Sequence, residues 1–548
     1  MDFIVTKNFQ NKKFKSATEL LKKYAKNQNS DEQRTVSFFE DADCAGDEYC
    51  IKTDQKEISV YANTAVGFNA AVGYLLRHQE TEIRNQTVTF DSDFRAVYFA
   101  NHFYNYYHSA PVEEICEYLE SLALWGASAL VLWFDMHHFY SFDSEDAKAM
   151  SDKMLTLFQK AKNLGMQTAL MHLSNEYYAG APRELLAENI VEDGKYTNKL
   201  CGYFYTELCP SRKDGETLLL DSFDALMTRF SSVGLDYLLL WPYDQGGCTC
   251  DACFPWGSNG FYRISKKKAE LAKKHFPNIE IIFSCWRFDY FTNGEWDAVL
   301  PLFQSDGNWI DKIMVDINVT LPDALQSINK TIVSFPEISM YHCTPWGGFG
   351  VNPFPNTLAK QFQRTKAFCH GGALYSEGIF DDINKAIALE QMRDVNTDPH
   401  DTVRQYCTYH FGAEYAEKIT KLIFRLERTL YRCTYLADGS CNDYPSEKVH
   451  SLHRYKIIEN TEEIDGIYRD AIAIYESLPE QIRASWRFMQ IYIRACVDAS
   501  LLKNGGFPSE ESDALLNELI PIYHAQNAYY FVSPATRESI LKNRGGGI

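Results

Sequence analysis

Residues 94–134 read FRAVYFANHFYNYYHSAPVEEICEYLESLALWGASALVLWF. The stretch opens on an apolar run from Phe94 to Phe99 and closes on another from Ala127 to Phe134, each of the length and near-continuous hydrophobicity of a strand buried on both faces. Between them Ile115, Leu119 and Leu122 recur at helical spacing. A strand, a crossover helix and a second strand make one β-α-β unit. No glycine lies between the first run and the helix, so the phosphate-cradling turn of a doubly wound open sheet is missing from its usual place. That open sheet is the runner-up fold.

Working outward, similar runs recur as QTALMHL (167–173), DYLLLWP (236–242), IEIIFSCW (279–286), KIMVDIN (312–318), EISMYHC (337–343) and GALYSEG (372–378), separated by amphipathic stretches such as residues 144–165. Eight strands in this order predict an α/β chain with a (β/α)8 TIM barrel over residues 89–390. Before it, EYCIKTDQKEISVYAN (48–63) alternates about a turn and TAVGFNAAVGYLLRH (64–78) is helical, which predicts a small α+β domain over residues 1–88. After it the pattern is almost purely helical, and residues 391–548 are expected to form an α-helical domain. The chain's 548 residues exceed the roughly 250–300 at which single cores stop growing, consistent with several domains.

Lys plus Arg number 54 and Asp plus Glu 73, a net charge of −19. A field of that sign repels phosphate backbones and anionic headgroups, so neither nucleic acid nor a membrane is expected as a partner. The start, MDFIVTKNFQNKKFK, lacks the apolar stretch of a secretory signal, and no run approaches the roughly 20 apolar residues of a membrane helix. A cytoplasmic location is the expectation, with a homodimer left open.

Barrel chemistry sits where the strands end, so the residues following each run identify the candidate site. They are Asn175-Glu176 after the third strand, Trp241-Pro-Tyr243-Asp244 after the fourth, Trp286-Arg287 after the fifth, Asp316 in the sixth, His342 and Trp346 after the seventh, and Glu377 after the eighth. Aromatic rings stack on the C–H faces of a sugar, and carboxylates and guanidinium groups bind its hydroxyls. Cleaving a glycosidic bond also needs a proton donor and a second group at the anomeric centre. Any one of these acids alone reads as a helix cap or surface charge, and any one tryptophan as packing. Their convergence on successive strand ends favours an oligosaccharide or glycoside substrate. Glu176 and Glu377 are the candidate acids, Asp244 the partner carboxylate, and Glu207 a weaker candidate.

The fifteen cysteines are mostly scattered, with one exception. Cys248, Cys250 and Cys253 form a C-x-C-x-x-C after the fourth strand, and Cys209 lies one helix earlier. Four such thiolates can close a structural zinc site; free thiols in a glycine-rich turn are the alternative. No organic cofactor motif is present, and no HExxH or similar histidine spacing supports a metal-dependent hydrolase.

The order ISVYANTAVGFNAAVGYLLR (58–77) and then DFRAVYFANHFYNYYHSAPVEEICEYLESLALWGASALVLWF (93–134) resembles the family 20 glycoside hydrolases, the β-N-acetylhexosaminidases, over about residues 36–380. The resemblance implies that Arg95 binds sugar hydroxyls, and that an Asp-Glu pair ends the fourth strand, its Glu as general acid. Here that pair is Asp244-Gln245, and glutamine has no proton to give. The segments SNEYYAGAPRELLAE (174–188), TELCPS (206–211) and WPYDQGGCTCDACFPWG (241–257) are similar to hexosaminidase-like and α-glucuronidase-like bacterial barrel proteins. The resemblance implies an exo-acting, retaining glycosidase releasing a β-linked N-acetylhexosamine. A uronidase using Arg287, His342 and Arg95 for the carboxylate, and a carbohydrate-binding protein without catalysis, are the alternatives.

Overall fold

Short apolar runs build a closed barrel of eight parallel strands: Arg95–Phe99, Ala129–Trp133, Gln167–Leu173, Tyr237–Trp241, Glu280–Ser284, Lys312–Val315, Thr331–Ser334 and Cys369–Ser376. The fourth strand pairs with the third and the eighth with the first, closing the ring. The structure is a computed structural model and describes residues 2–5, 12–26, 33–102, 105–188, 191–192, 195–196, 206–243, 247–289, 294–316, 321–338, 351–429, 461–505 and 509–525. Both faces of the strands are covered, which is why they read as continuous hydrophobic runs. The helices Val112–Ala123, Glu145–Asn163, Lys213–Phe230, Tyr262–His275, Glu295–Asp306, Pro355–Thr365 and Asp382–Arg393 form the outer ring. Between the sixth and seventh strands, only a 3₁₀ turn, Asp323–Ser327, stands among the described residues.

The seventh strand is not EISMYHC. It lies earlier, at Thr331–Ser334, where two β-branched residues, Ile332 and Val333, are buried beside the sixth strand. Pro336, which has no N–H to donate to a ladder, interrupts the pairing. Glu337 then rejoins the eighth strand through a single bridge to Tyr375. The sequence pattern is strand-like on both sides of the proline, and the start was placed on the wrong side.

The N-terminal sheet has five strands, with the predicted hairpin Tyr49–Thr53 and Glu57–Ala62 antiparallel inside it. Asp54 sets the turn by accepting the backbone N–H groups of Lys56 and Glu57. Helix Ala65–Arg77 presses this sheet onto the barrel so closely that a Cβ at Gly73 would stand 1.7 Å from the Leu124 carbonyl oxygen. C-terminal helices Pro399–Phe411, Ala413–Thr429, Thr461–Ser477, Trp486–Lys503 and Glu510–Tyr523 complete the molecule. None of the described helices is long and apolar enough to cross a membrane.

Two histidines in these packing layers are held neutral. His78 stacks on Tyr74 with ring centroids 4.0 Å apart, and burial pushes its pKa down to about 4; His108 is pushed down to about 4 for the same reason. In the unfolded chain a histidine takes up its proton near pH 6.5, so the unfolded state binds more protons as the pH falls below that value. The stability these groups supply is complete above about pH 7 and is lost between about pH 6.5 and 4. Apparent melting temperature should fall across that interval, and the double variant His78→Gln/His108→Gln should show a shallower fall. Parallel slopes for the two proteins would reject this assignment.

Candidate active site at the mouth of the barrel

Aromatic side chains close the carboxyl ends of the strands with a continuous floor. Trp241 packs on Trp286 at 5.3 Å and on Phe335 at 4.5 Å; Phe335 meets Tyr375 at 5.6 Å; Tyr375 meets Tyr98 at 5.3 Å. On the other side His102 stands edge-on to Trp133 at 4.8 Å, with its Nε2 3.4 Å from the Tyr375 hydroxyl. These rings belong to strands that lie far apart in the chain. The indole N–H of Trp286 is buried and meets no acceptor among the described residues, so it is a donor suited to a bound polar group.

Carboxylates rim this floor. Asp316, Glu337 and Glu377 end or follow the sixth, seventh and eighth strands, all at most 8% exposed. Glu377 accepts the Tyr375 hydroxyl at 2.9 Å, and Tyr375 is also the residue bridged by Glu337. Three strand steps away, after the third strand, Glu176 is fully buried. Its Oε2 accepts the Trp133 indole N–H at 3.1 Å, and its Oε1 accepts the His137 backbone N–H at 3.1 Å and lies 2.6 Å from His137 Nδ1. Burial pushes the Glu176 carboxyl well above the usual carboxylate range, and the charges of Asp135 and Glu207 act in the same direction. Behind it Lys268 donates to His172 and to the Ser174 carbonyl, and burial lowers it to about 7. The third-strand end is therefore a desolvated pocket that favours the neutral form of an acid.

The turn after the fifth strand is strained. Arg287 and Asp289 both have left-handed backbone angles, φ 55° and 62°, and neither is glycine. Such conformations cost about 1–3 kcal/mol each and concentrate at functional sites. Glu295 holds this turn in place: it accepts the N–H groups of Asp289 at 3.1 Å and Gly257 at 3.0 Å, and its own N–H donates to Asp289. Half-buried Arg287 lies over the Trp286 ring at 4.8 Å.

The structure thus brings Glu176, Glu377, Glu207, Trp241, Trp286, Arg287 and Asp316 to one end of the barrel. Tyr243 is displaced from the role expected of it: it is fully buried and its hydroxyl donates to Glu295, so it braces the turn behind the site. Asp244, His342 and Trp346 lie outside the described residues. Four residues with a place at this end were missed from sequence. His102, Asp135 and His137 follow the first and second strands as visibly as Glu176 follows the third, and Glu337 was hidden by the misplaced seventh strand.

Arg95 is the clearest correction. It is the first residue of the first strand, so it points to the amino-terminal end of the barrel, away from the mouth. Its Nε donates to the Gly126 carbonyl at 2.8 Å, Nη1 to the Ser92 carbonyl, and Nη2 to Asp47 of the N-terminal sheet domain at 2.7 Å. The guanidinium also covers the Phe90 ring at 4.1 Å. Arg95→Ala should cost about 3–5 kcal/mol, the usual penalty for breaking a buried pair and leaving one partner behind, while leaving substrate affinity unchanged. Denaturant melts and KM measured on the same variant check both halves. A weakened KM with unaltered stability would return Arg95 to the substrate site.

Two clusters have the donor sets of cation sites. Asp135, His137 and His138 place ligand atoms within 4.8 Å of one another at the second-strand end, and the four cysteines Cys209, Cys248, Cys250 and Cys253 do the same beside the fourth.

No family model matches this sequence, and no curated protein does either. Solved structures do share its fold. A family GH115 4-O-methyl-α-glucuronidase with specificity for decorated arabinogalactans superposes with a TM-score of 0.64 at 8% identity, covering 98% of this chain and 78% of that one. A GH138 enzyme targeting pectin rhamnogalacturonan II gives 0.59 at 12% identity, with 95% and 72% covered. A family 89 enzyme from Clostridium perfringens, in complex with GlcNAc-α-1,4-galactose, gives 0.57 at 12%, with 93% and 64% covered. At these identities the likeness is one of architecture, and it establishes the barrel with its two flanking regions.

Proposed function

We propose that this chain is a glycoside hydrolase working at the barrel mouth. The observation that carries the reading is the pairing of acids and rings: three buried carboxylates that follow consecutive strands, Asp316, Glu337 and Glu377, stand at the end of the barrel closed by the aromatic floor, with buried Glu176, its carboxyl pushed above the usual range, after the third strand. A sugar ring stacks on Trp241 and Trp286, the buried indole N–H of Trp286 meets a hydroxyl, and Glu377 works at the anomeric centre. Glu176 supplies the acid, because burial favours its protonated form, the one able to give a proton to a leaving oxygen. The fold likeness to glycosidases of several families supports the same class.

As the finer reading we take an exo-acting, retaining enzyme on terminal β-linked N-acetylhexosamine. Its support is the sequence resemblance and, for the N-acetylglucosamine unit though not for the β linkage, the GlcNAc-α-1,4-galactose bound by the family 89 neighbour. A uronide is the second reading, and Arg287 favours it: this guanidinium stands at the mouth against Trp286, placed to pair with a sugar carboxylate. A panel of aryl glycosides separates them. Turnover of N-acetylhexosaminides with retention of the anomeric configuration by NMR is expected; turnover of glucuronides alone would transfer the assignment to the second reading. Binding without turnover across the panel would overturn the enzymatic reading altogether.

A further inference from the structure

We propose that Cys209, Cys248, Cys250 and Cys253 bind one Zn2+ as four thiolates, and that this ion clasps two loops against the turn that carries Glu176. The geometry comes first. Cys209 Sγ lies 3.6 Å from Cys248 Sγ, 3.7 Å from Cys250 Sγ and 4.0 Å from Cys253 Sγ, and all four sulfurs fall within 4.8 Å of one another. A tetrahedron with Zn–S bonds of about 2.3 Å has sulfurs roughly 3.8 Å apart. A disulfide would instead bring two of them to about 2.05 Å. The four converge from two separate segments, and no pair stands apart from the rest.

The surroundings fit thiolates. The Glu188 backbone N–H donates to Cys248 Sγ at 3.4 Å, and the Ser211 hydroxyl lies 2.9 Å from Cys209 Sγ and 3.4 Å from Cys250 Sγ. Donors of this kind orient metal-bound sulfur and stabilise its charge. Cys209, Cys248 and Cys253 are fully buried and Cys250 is half-buried, which leaves one edge open for metal entry. Binding releases four thiol protons to solvent as four Zn–S bonds form, and a site saturated by protein ligands keeps no position for water, so the role is structural.

The clasp reaches the candidate site through one side chain. Asn175, beside Glu176, donates from Nδ2 to the Leu208 carbonyl at 3.0 Å and to the Gly247 carbonyl at 2.8 Å, and its Oδ1 accepts the Gly247 N–H at 2.8 Å. Leu208 and Gly247 each immediately precede a ligand, Cys209 and Cys248. The Thr249 N–H also donates to the Glu188 carbonyl at 2.8 Å and the Cys209 N–H to the Leu185 carbonyl at 2.9 Å, so both ligand-bearing loops are tied to residues 185–188. The ion thus fixes both ends of the hydrogen-bond set that positions Asn175. The proposal stands whether or not the glycosidase reading does.

The test uses the full chain, purified in reducing buffer without chelator. Elemental analysis should find one zinc per chain, and titration with an organomercurial in the presence of a zinc-sensitive dye should release it in step with four thiols. Exchange with Co2+ should give the intense visible absorption of a tetrahedral tetrathiolate. Zinc removal should lower the melting temperature and raise protease cleavage within residues 206–211 and 247–253. Cys250→Ser, at the least buried ligand, should lose most of the metal. Protein that takes up no zinc from buffered solution, a mass showing disulfides among these four, or zinc released without their modification would each overturn the site.

Discussion

Glu377→Gln is expected to lower turnover by about a thousandfold or more on whichever aryl glycoside proves to be a substrate, within the range that removal of a positioned acid or base produces. The substitution keeps the shape of the side chain, and its carbonyl oxygen still accepts the Tyr375 hydroxyl that Glu377 accepts at 2.9 Å. What it removes is the ability to carry charge or exchange a proton. Melting temperature and the affinity for an unreactive sugar analogue should therefore hold near their unmodified values. Glu337→Gln provides the neighbouring test, since the Glu337 backbone, beyond the seventh strand, bridges to that of the same Tyr375 and its carboxylate is buried at the same end of the barrel. If the two acids act as one unit, the double variant should be little worse than the more severe single one. A Glu377→Gln enzyme that turns over normally would remove this residue from the chemistry, and the carboxylate roles would pass to Glu337 and Asp316.

The same geometry explains which features could be read in advance. Buried parallel strands announce themselves, and the runs at residues 94–99, 127–134, 167–173 and 236–242 coincide with observed strands to within two residues at either end. The seventh strand escaped because its core is only four residues long and the alternation of Glu337 to Cys343 is an equally good strand pattern. Residues that follow a strand were found because adjacency in sequence is adjacency at the mouth. Direction along the strand was the harder quantity. Arg95 is on the expected strand but at its first position, and a five-residue strand at about 3.3 Å per residue separates its ends by roughly 13 Å. Tyr243 was misread for a related reason: nothing in the sequence tells that Glu295, fifty-two residues later, waits beneath it. The cysteine convergence was legible as a spacing, because C-x-C-x-x-C already limits how far three sulfurs can part. Cys209 joins them in the sequence only by its place one helix earlier, and in the fold its Sγ lies 3.6 Å from that of Cys248.

Asp382→Ala should be as destabilising as Arg95→Ala, by about 3–5 kcal/mol, the penalty for stripping one partner from a buried charged network. Asp382 opens helix Asp382–Arg393, which follows the eighth strand, and is 3% exposed. Its Oδ1 accepts the Tyr118 hydroxyl at 2.9 Å, and its Oδ2 accepts the Tyr406 hydroxyl at 2.8 Å and Arg487 Nε at 2.7 Å. Those three partners come from the first barrel helix, from helix Pro399–Phe411 and from helix Trp486–Lys503, so a single carboxylate ties the barrel to two layers of the C-terminal region. Arg487 also reaches Ser121 at 3.1 Å and stacks on Trp486 at 4.1 Å. Removing the acid leaves a half-buried guanidinium and two phenols without their common acceptor, and the stranded cation adds to the cost of the lost hydrogen bonds. Urea unfolding followed by tryptophan fluorescence should show the midpoint lowered, with proteolysis beginning in the C-terminal helices before the barrel. Pairing the change with Arg487→Met should recover part of the loss, because the stranded charge goes with it. If Asp382→Ala unfolds within about 0.5 kcal/mol of the unmodified chain, as ordinary surface substitutions do, the carboxylate is not the joint between these layers.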